Sequence, residues 1–273
     1  MTRTRLIALD LDGTLLNSAL RLSERNAEAV RRARESGVRV VLATSRWFGL
    51  ARRTADRLGI DTPLVCSNGA LVRRPSDGSE LLHLHLDQEV AREVTALGDE
   101  RGWEMFTTIE DATFMRARPG VTPESLPGGL RISDRQADEV ARGRPTAVIV
   151  YGNDAVEEIS ELLLPAYDGP ACRQARRAKF SLNRPINLPP YVVLTHPDAD
   201  KGSALETVCR QMDVPLSDVM AMGDSESDLA MLRLAGLGIA MDNSPDEVKR
   251  AALHIAPCND ADGVAWAIER FAL

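Results

Sequence analysis

The sequence of 273 residues predicts an α/β fold, with a parallel-sheet core interrupted by an inserted α+β segment. Near both chain ends, short apolar runs alternate with longer amphipathic segments, which indicates alternating strands and helices. Several of these runs end in acidic or hydroxyl residues, as strands do where an open parallel sheet binds its ligand. From about residue 83 the pattern changes to paired strands and helices. We therefore assign residues 1–82 and 193–273 to the core and residues 83–192 to the insert.

The first core segment alternates strand and helix signals. Ser23 is a helix N-cap candidate, and Gly37 and Gly59 are residues that commonly end helices. The predicted elements are a strand at 6–9, a helix at 23–36, a strand at 38–43, a helix ending at Leu58 and a strand at 64–66.

The insert is predicted to contain two strand and helix groups. Its elements are a helix at 87–101, strands at 103–108 and 112–116, a Pro/Gly-rich loop at 118–129, a helix at 134–142, a strand at 146–151, a helix at 154–164, and strands near Ala171 and Phe180. Pro185, Pro189 and Pro190 mark a return to the core, where strand, helix and strand recur from Tyr191 onward.

Composition restricts the class of protein. A net charge of −7 and a pI near 5.3 give no support for binding nucleic acid or an anionic membrane. No apolar stretch approaches the roughly 20 residues that span a bilayer, and the apolar run behind the basic N-terminus is too short for a signal peptide. The four cysteines have no C-x-x-C spacing, which favours reduced thiols and a cytoplasmic protein.

The most informative motif is Asp10-Leu11-Asp12-Gly13-Thr14, at the end of the first predicted strand. Two carboxylates are tolerated there only if the strand opens into a polar crevice. An acidic pair at such a site suits Mg²⁺, and it also suits covalent catalysis with one carboxylate as nucleophile and the other as acid/base. A calcium loop is excluded because Leu15 and Leu16 follow instead of further oxygen ligands.

Three further groups of polar residues lie at predicted strand ends or at a predicted helix start, and each has an alternative explanation. Thr44 and Ser45 suit an anion site, although a helix N-cap is the commoner explanation for such a pair taken alone. Lys201, one of three lysines among 33 basic residues, suits a phosphoryl oxygen or an aspartate, although a solvated lysine at a helix start is the commoner case. Asp224 and Asp228 follow a strand and lean toward the first acidic pair, or they are two helix-capping acids. Four converging carboxylates would require a divalent cation.

These motifs resemble, in order, the four motifs of the haloacid dehalogenase (HAD) superfamily of phosphohydrolases. Three additional stretches resemble the Cof-type subgroup: Ser67-Asn68-Gly69-Ala70, Gly238-Ile239-Ala240-Met241-Asp242-Asn243-Ser244 and Asn259-Asp260-Ala261-Asp262-Gly263-Val264-Ala265. The resemblance covers the two core segments and implies a Rossmann-like core with an inserted cap that sets substrate specificity. Two positions depart from the family pattern: Ser45 stands where many relatives have Gly, and Ser227 where many have Asn.

The resemblance implies a Mg²⁺-dependent phosphatase that hydrolyses small phosphomonoesters through an aspartyl-phosphate. Asp10 would be the nucleophile and Asp12 the acid/base. Mg²⁺ would be held by Asp10, the backbone carbonyl of Asp12 and Asp224, with Asp228 acting through a water. The implied phosphate-binding groups are Thr44, Lys201, Ser227 and the backbone N–H groups of Leu11 and Ser45.

Some expectations stay open at this point. Asn68 either lies beside the substrate or only occupies a turn that needs positive φ. A phosphomutase would share the aspartyl-phosphate, and a phospho-Asp binding module is a further alternative. The expected partner is a small phosphorylated molecule, with neither nucleic acid nor membrane involved, and the chain is expected to be a monomer or homodimer.

Overall fold

The computed structural model describes residues 4–117, 126, 129–167, 177–183 and 189–273. The strands are β1 (Leu6–Leu9), β2 (Arg39–Leu42), β3 (Leu64–Cys66), β4 (Leu71–Arg73), β5 (Glu80–His83), β6 (Glu104–Ile109), β7 (Ala112–Met115), β8 (Leu130–Ile132), β9 (Pro145–Tyr151), β10 (Lys179–Asn183), β11 (Tyr191–Thr195), β12 (Val219–Gly223), β13 (Leu237–Met241) and β14 (His254–Ala256).

Helices occur at each of the predicted helical segments up to residue 164. The helices are α1 (Glu24–Glu35), α2 (Phe48–Leu58), α3 (Gln88–Arg101), α4 (Gln136–Val140), α5 (Asn153–Glu158), α6 (Leu164–Tyr167), α7 (Lys201–Met212), α8 (Leu229–Leu234), α9 (Asp246–Ala251) and α10 (Gly263–Phe271). A π-helical turn, Ile159–Leu163, joins α5 to α6. Within the described residues, every helix is too short or too polar to cross a bilayer.

The chain divides into two compact units. Unit 1 comprises Met1–Arg46, Ala51–Leu82 and Asp200–Leu273, and unit 2 comprises Trp47–Leu50 and His83–Ala199.

Unit 1 contains a five-stranded parallel sheet in the order β14-β13-β12-β1-β2. In β1 all four side chains are buried, as expected for a central strand covered on both faces. Leu9 at its end pairs with Leu42 of β2 on one side and with Met222 of β12 on the other. The carboxyl ends of these three strands therefore lie together, and the predicted parallel-sheet core is confirmed.

A smaller sheet of β3, β4 and β5 lies beside the main one, linked to it by a parallel bridge between Ala43 and Val65. The strand β3 was predicted from the sequence, whereas β4 and β5 were not. A tight 3₁₀ turn, Ser67–Gly69, follows β3 and carries Asn68 in the left-handed region at φ 54°.

Unit 2 is built on a six-stranded sheet in the order β10-β11-β9-β6-β7-β8. All of its pairings are antiparallel except that of β7 with β8. One face packs on apolar side chains of α3 and α5, such as Val90, Val94 and Ala155. This is the α+β architecture predicted for the insert.

The unit boundary differs from the one drawn at residue 193. The run 191–195 forms β11, which lies between β9 and β10 in the unit 2 sheet, so unit 1 resumes at Asp200. Prolines before a strand prevent the chain from pairing there, but they do not indicate which sheet the strand joins. Most of the predicted loop at 118–129 and the predicted strand near Ala171 lie outside the described residues.

Candidate active site

The site begins where β1 ends. The N–H of Asp10 donates to the carbonyl of Met222 at 3.0 Å, which continues the parallel ladder for one residue beyond the strand. Asp10 is only 4% exposed, so its carboxylate lies inside the unit rather than on its surface. The sheet therefore delivers a buried acid to its carboxyl edge, where parallel strands open into ligand sites.

A tight loop follows Asp10. The N–H of Leu16 donates to the carbonyl of Leu11 at 2.8 Å, and Gly13 has φ +84°, in the left-handed region. A Cβ on Gly13 would lie 2.2 Å from Oδ2 of Asp224, so only glycine fits against that carboxylate. Thr14 Oγ1 donates to Oδ1 of Asp224 at 3.2 Å. The loop after β1 is thereby joined to the end of β12.

Three of the predicted aspartates converge around one lysine. Carboxylate oxygens of Asp10, Asp224 and Asp228 all lie within 4.8 Å of one another. Lys201, the first residue of α7, is 1% exposed, and its Nζ lies 2.6 Å from Oδ1 of Asp10 and 2.6 Å from Oδ1 of Asp228. The alternative of a solvated lysine is therefore wrong.

Asp228 also has a capping role. Its Oδ2 accepts the N–H groups of Asp224 and Ser225 at 3.0 and 2.9 Å, and it forms a capping box with Ser225. Ser227 Oγ lies 2.9 Å from Ser225 Oγ. Asp228 therefore holds the turn through one oxygen and contacts Lys201 through the other.

The electrostatics of this cluster are unfavourable without a further cation. Burial raises the pKa of Asp10 well above its ordinary value; the ammonium of Lys201 opposes the rise, and the neighbouring aspartates add to it. Burial and repulsion from Asp228 raise the pKa of Asp224 to about 7. Burial alone would lower the pKa of Lys201, but its two ion pairs outweigh burial and raise it, so the ammonium stays charged.

Asp12 lies at a more open position and is paired with Arg46. Nε of Arg46 lies 2.7 Å from Oδ2 of Asp12, and its NH2 group contacts the other carboxylate oxygen, so the pair is bidentate. The side chain of Asp12 is 29% exposed and that of Arg46 is 15% exposed. The two hydrogen bonds, one to each oxygen, therefore fix both the position and the rotation of the Asp12 carboxylate.

Thr44 does not cap α2, which begins four residues later at Phe48. Its Oγ1 instead accepts the N–H of Arg46 at 3.1 Å, and Thr44 is completely buried. The same short turn thus contains a buried hydroxyl and the arginine that holds Asp12. Ser45 lies between them and is half-buried.

Asn68 lies next to this turn. Its N–H donates to the carbonyl of Thr44 at 3.1 Å, and a Cβ on the neighbouring Gly69 would lie 2.2 Å from the carbonyl oxygen of Asp200. Asn68 is 3% exposed, yet neither atom of its side-chain amide has a hydrogen-bond partner among the described residues. The positive φ agrees with the turn interpretation, and the two buried polar atoms agree with a ligand-binding one.

Comparison with known proteins identifies the family. The family model of the haloacid dehalogenase-like hydrolases matches residues 7–268. The chain belongs to this family. The predicted resemblance is confirmed, and the chain is an enzyme of the HAD phosphatase type.

Individual relatives resemble this HAD hydrolase over almost its whole length. The 5-amino-6-(5-phospho-D-ribitylamino)uracil phosphatase YcsE of Bacillus subtilis is 30% identical over 276 residues, covering 98% of this chain and 96% of that protein. A phosphoglycolate phosphatase of Methanothermobacter thermautotrophicus is 28% identical, covering 98% of each chain. The crystal structure of a haloacid dehalogenase-like hydrolase from Bacteroides thetaiotaomicron superposes with a TM-score of 0.80 at 25% identity, covering 98% of this chain and 99% of that one.

The donor set of this HAD hydrolase fits a divalent metal ion. The converging groups are carboxylate oxygens, the ligands preferred by hard cations. Asp10, Asp12, Asp224 and Asp228 outnumber the paired cations, Lys201 and Arg46, by two negative charges. A bound dication would neutralise this excess and oppose both burial and the repulsion from Asp228, which raise the pKa of Asp224.

Arg46 and Thr14 were not among the predicted site residues. Both follow residues that were singled out, Thr44-Ser45 and Asp12-Gly13. A partly exposed acid such as Asp12 needs a partner that fixes its orientation, and Arg46, the residue after Ser45, was a candidate for that partner. Thr14 belongs to the first acidic motif, but its contact with Asp224 could not be predicted because the two residues are 210 positions apart.

Proposed function

We propose that this HAD hydrolase is a Mg²⁺-dependent phosphatase that cleaves small phosphomonoesters through an aspartyl-phosphate on Asp10. The buried contact between Lys201 and Asp10, beside Asp224 and Asp228, is the observation that carries the proposal. It combines a nucleophilic carboxylate, a fixed cation and oxygen donors suited to a metal at one sheet edge.

Asp10 is the nucleophile in this proposal. Lys201 holds Oδ1 of Asp10 at 2.6 Å, and the carboxylate attacks the phosphorus atom in line with the departing ester oxygen. The bond from phosphorus to the alcohol oxygen breaks as the bond to Asp10 forms. The ammonium of Lys201 opposes protonation of the Asp10 carboxylate. In the proposal it also neutralises a phosphoryl oxygen.

Asp12 is the acid/base. It gives a proton to the departing alcohol, and it later takes a proton from the water that attacks the phosphorylated Asp10 and releases inorganic phosphate. The exposed position of Asp12 suits exchange of protons with water, whereas Asp10 is closed off. Arg46 orients the ionised Asp12 carboxylate through its bidentate contact for the step in which Asp12 takes the proton from water.

The remaining groups bind the phosphoryl oxygens and the metal ion. Thr44 Oγ, Ser227 Oγ and the N–H groups of Leu11 and Ser45 are assigned to the phosphoryl group, and Asn68 is assigned to the substrate. Mg²⁺ would be held by Asp10, Asp12 through its carbonyl, and Asp224, with Asp228 holding Lys201 and the backbone of Asp224 in place. When bound, the ion supplies positive charge to the transferring phosphoryl group.

The substrate is a small phosphomonoester whose alcohol part is read by residues 83–192. The two named relatives act on a phosphoribitylamino-uracil and on phosphoglycolate, which share only the phosphomonoester group. This pattern supports a fixed phosphoryl site in unit 1 and variable recognition of the leaving group elsewhere.

The test is phosphate release from a panel of phosphorylated sugars, cofactors and organic acids, with Mg²⁺ or with a chelator. The proposal predicts Mg²⁺-dependent release that Asp10→Asn abolishes. Asp56→Asn is the matched control, because Asp56 is an exposed aspartate of α2 whose loss leaves the site unchanged. Release that is unaffected by both the chelator and Asp10→Asn would refute the proposal.

A further inference from the structure

Two asparagines outside the proposed reaction contact the loop that follows β1. Asn243 Nδ2 donates to the carbonyl of Gly13 at 2.9 Å, and Asn259 Nδ2 donates to the carbonyl of Leu16 at 3.0 Å. The N–H of Asn259 in turn donates to Oδ1 of Asn243 at 3.0 Å. Both residues come from the Cof-type stretches of the sequence, and together they link the C-terminal part of unit 1 to the site loop.

Gly13 is the residue of that loop with the greatest backbone freedom. Only glycine fits there, because a Cβ would lie 2.2 Å from Oδ2 of Asp224. Glycine, however, rotates more freely about its backbone bonds than any other residue. The peptide group before Gly13 carries the Asp12 carbonyl, and the one after it carries the Gly13 carbonyl and leads to Thr14. The amide of Asn243 holds the second of these peptide groups in one orientation.

We propose that Asn243 is a positioning residue for the metal-binding end of the site, an inference that rests on the proposed function. By holding the Gly13 carbonyl it keeps two groups in place against Asp224: the Asp12 carbonyl on one side of Gly13 and the Thr14 hydroxyl on the other. Thr14 Oγ1 already lies 3.2 Å from Oδ1 of Asp224. Asn259 supports Asn243 by donating to its side-chain oxygen, which fixes the amide with its N–H₂ group toward the loop.

A third asparagine provides a matched control. Asn26 Nδ2 donates to the carbonyl of Leu15 at 3.2 Å, and its Oδ1 accepts the N–H of Ala265 at 2.9 Å. It is 1% exposed and therefore more important for packing than half-buried Asn243. Its contact lies two residues further from Asp12, beyond the glycine. Asn17 is a second, milder control, because its side chain, half-buried like that of Asn243, only accepts the N–H groups of Ala19 and Arg21.

The experiment measures metal binding directly, by electron paramagnetic resonance of Mn²⁺ titrated into the purified protein, together with kcat and the thermal midpoint. The variants are Asn243→Ala and Asn243→Leu, which keeps a side chain of similar size but removes the donor without adding a charge. Loss of one hydrogen bond predicts about a two- to tenfold rise in the Kd for Mn²⁺ in both. Asn26→Ala and Asn17→Ala are expected to lower the thermal midpoint and to bind Mn²⁺ like the wild type.

Wild-type Mn²⁺ affinity in both Asn243 variants would overturn the inference. Equal weakening in Asn26→Ala and Asn17→Ala would also overturn it, since the effect would then be general loosening of the loop. Absence of Mn²⁺ binding by the wild type would overturn it as well. A failure of every phosphomonoester to react would refute the proposed function alone, because the Mn²⁺ titration requires no turnover.

Discussion

Gly13→Ala should separate the catalytic geometry from stability. The new Cβ would lie 2.2 Å from Oδ2 and 2.6 Å from Cγ of Asp224, distances that no carbon tolerates, so the carboxylate must move. A normal contact requires a displacement of about 1 Å, and misplacing a catalytic group by that much can reduce turnover by about 100-fold. The positive φ adds a backbone cost of about 1–2 kcal/mol in the free energy of unfolding.

Gly37→Ala is the matched control for this substitution. Gly37 has nearly the same φ, +87° against +84°, but nothing lies within 4 Å of the Cβ position. Both variants should therefore lose about 1–2 kcal/mol of unfolding free energy in urea titrations. Only Gly13→Ala should lose turnover in a phosphate-release assay, normalised to folded protein. Full turnover in Gly13→Ala, with a stability loss equal to that of Gly37→Ala, would refute the argument that the glycine positions Asp224.

Three other predictions follow from the contacts. Lys201→Met should lower the unfolding free energy in chelator by about 3–5 kcal/mol, because it leaves buried carboxylates unpaired. Lys249→Met, at a half-buried lysine whose partner Asp242 is exposed, should cost less than about 1 kcal/mol, and a difference of less than about 1 kcal/mol between the two variants would contradict the burial argument. Arg46→Lys keeps the positive charge but loses the two parallel hydrogen bonds to Asp12, so kcat for phosphate release should fall about tenfold. An unchanged kcat would show that orientation of Asp12 by Arg46 is dispensable. Burial raises the pKa of Cys66 to about 12, so its thiol should not react with a disulfide reagent at pH 8 in the folded protein, whereas half-buried Cys258 should be labelled. Peptide mass spectrometry locates the label, and rapid labelling of Cys66 would contradict its burial.

The parallel core and the convergence of its acids could be predicted from the sequence for one physical reason. Adjacent parallel strands present their carboxyl ends at one edge, so polar residues that follow apolar runs must meet there. Asp10 follows β1 and Asp224 follows β12, and the two strands are paired in the sheet. Their proximity was therefore determined by local patterns together with one rule of topology.

Other features depended on long-range contacts that no local pattern contains. The run 191–195 is as apolar as a core strand, and only its pairing with β9 and β10 places it in unit 2. Asn243 and Asn259 could be recognised as family-like residues, but their function of holding loop carbonyls depends on contacts across 230 and 243 residues. Amide side chains bind any carbonyl within reach, so the sequence does not specify which one.

In the proposed mechanism Asp10 carries the phosphoryl group during turnover. The most direct measurement is acid quenching of the enzyme in the first turnover with Mg²⁺ and its best substrate, followed by peptide mass spectrometry under acidic conditions. We expect one phosphoryl group on the peptide containing Asp10, and none in Asp10→Asn or after chelation. Rapid hydrolysis with no phosphorylated Asp10 at any quench time, or a phosphoryl group on another residue, would contradict it.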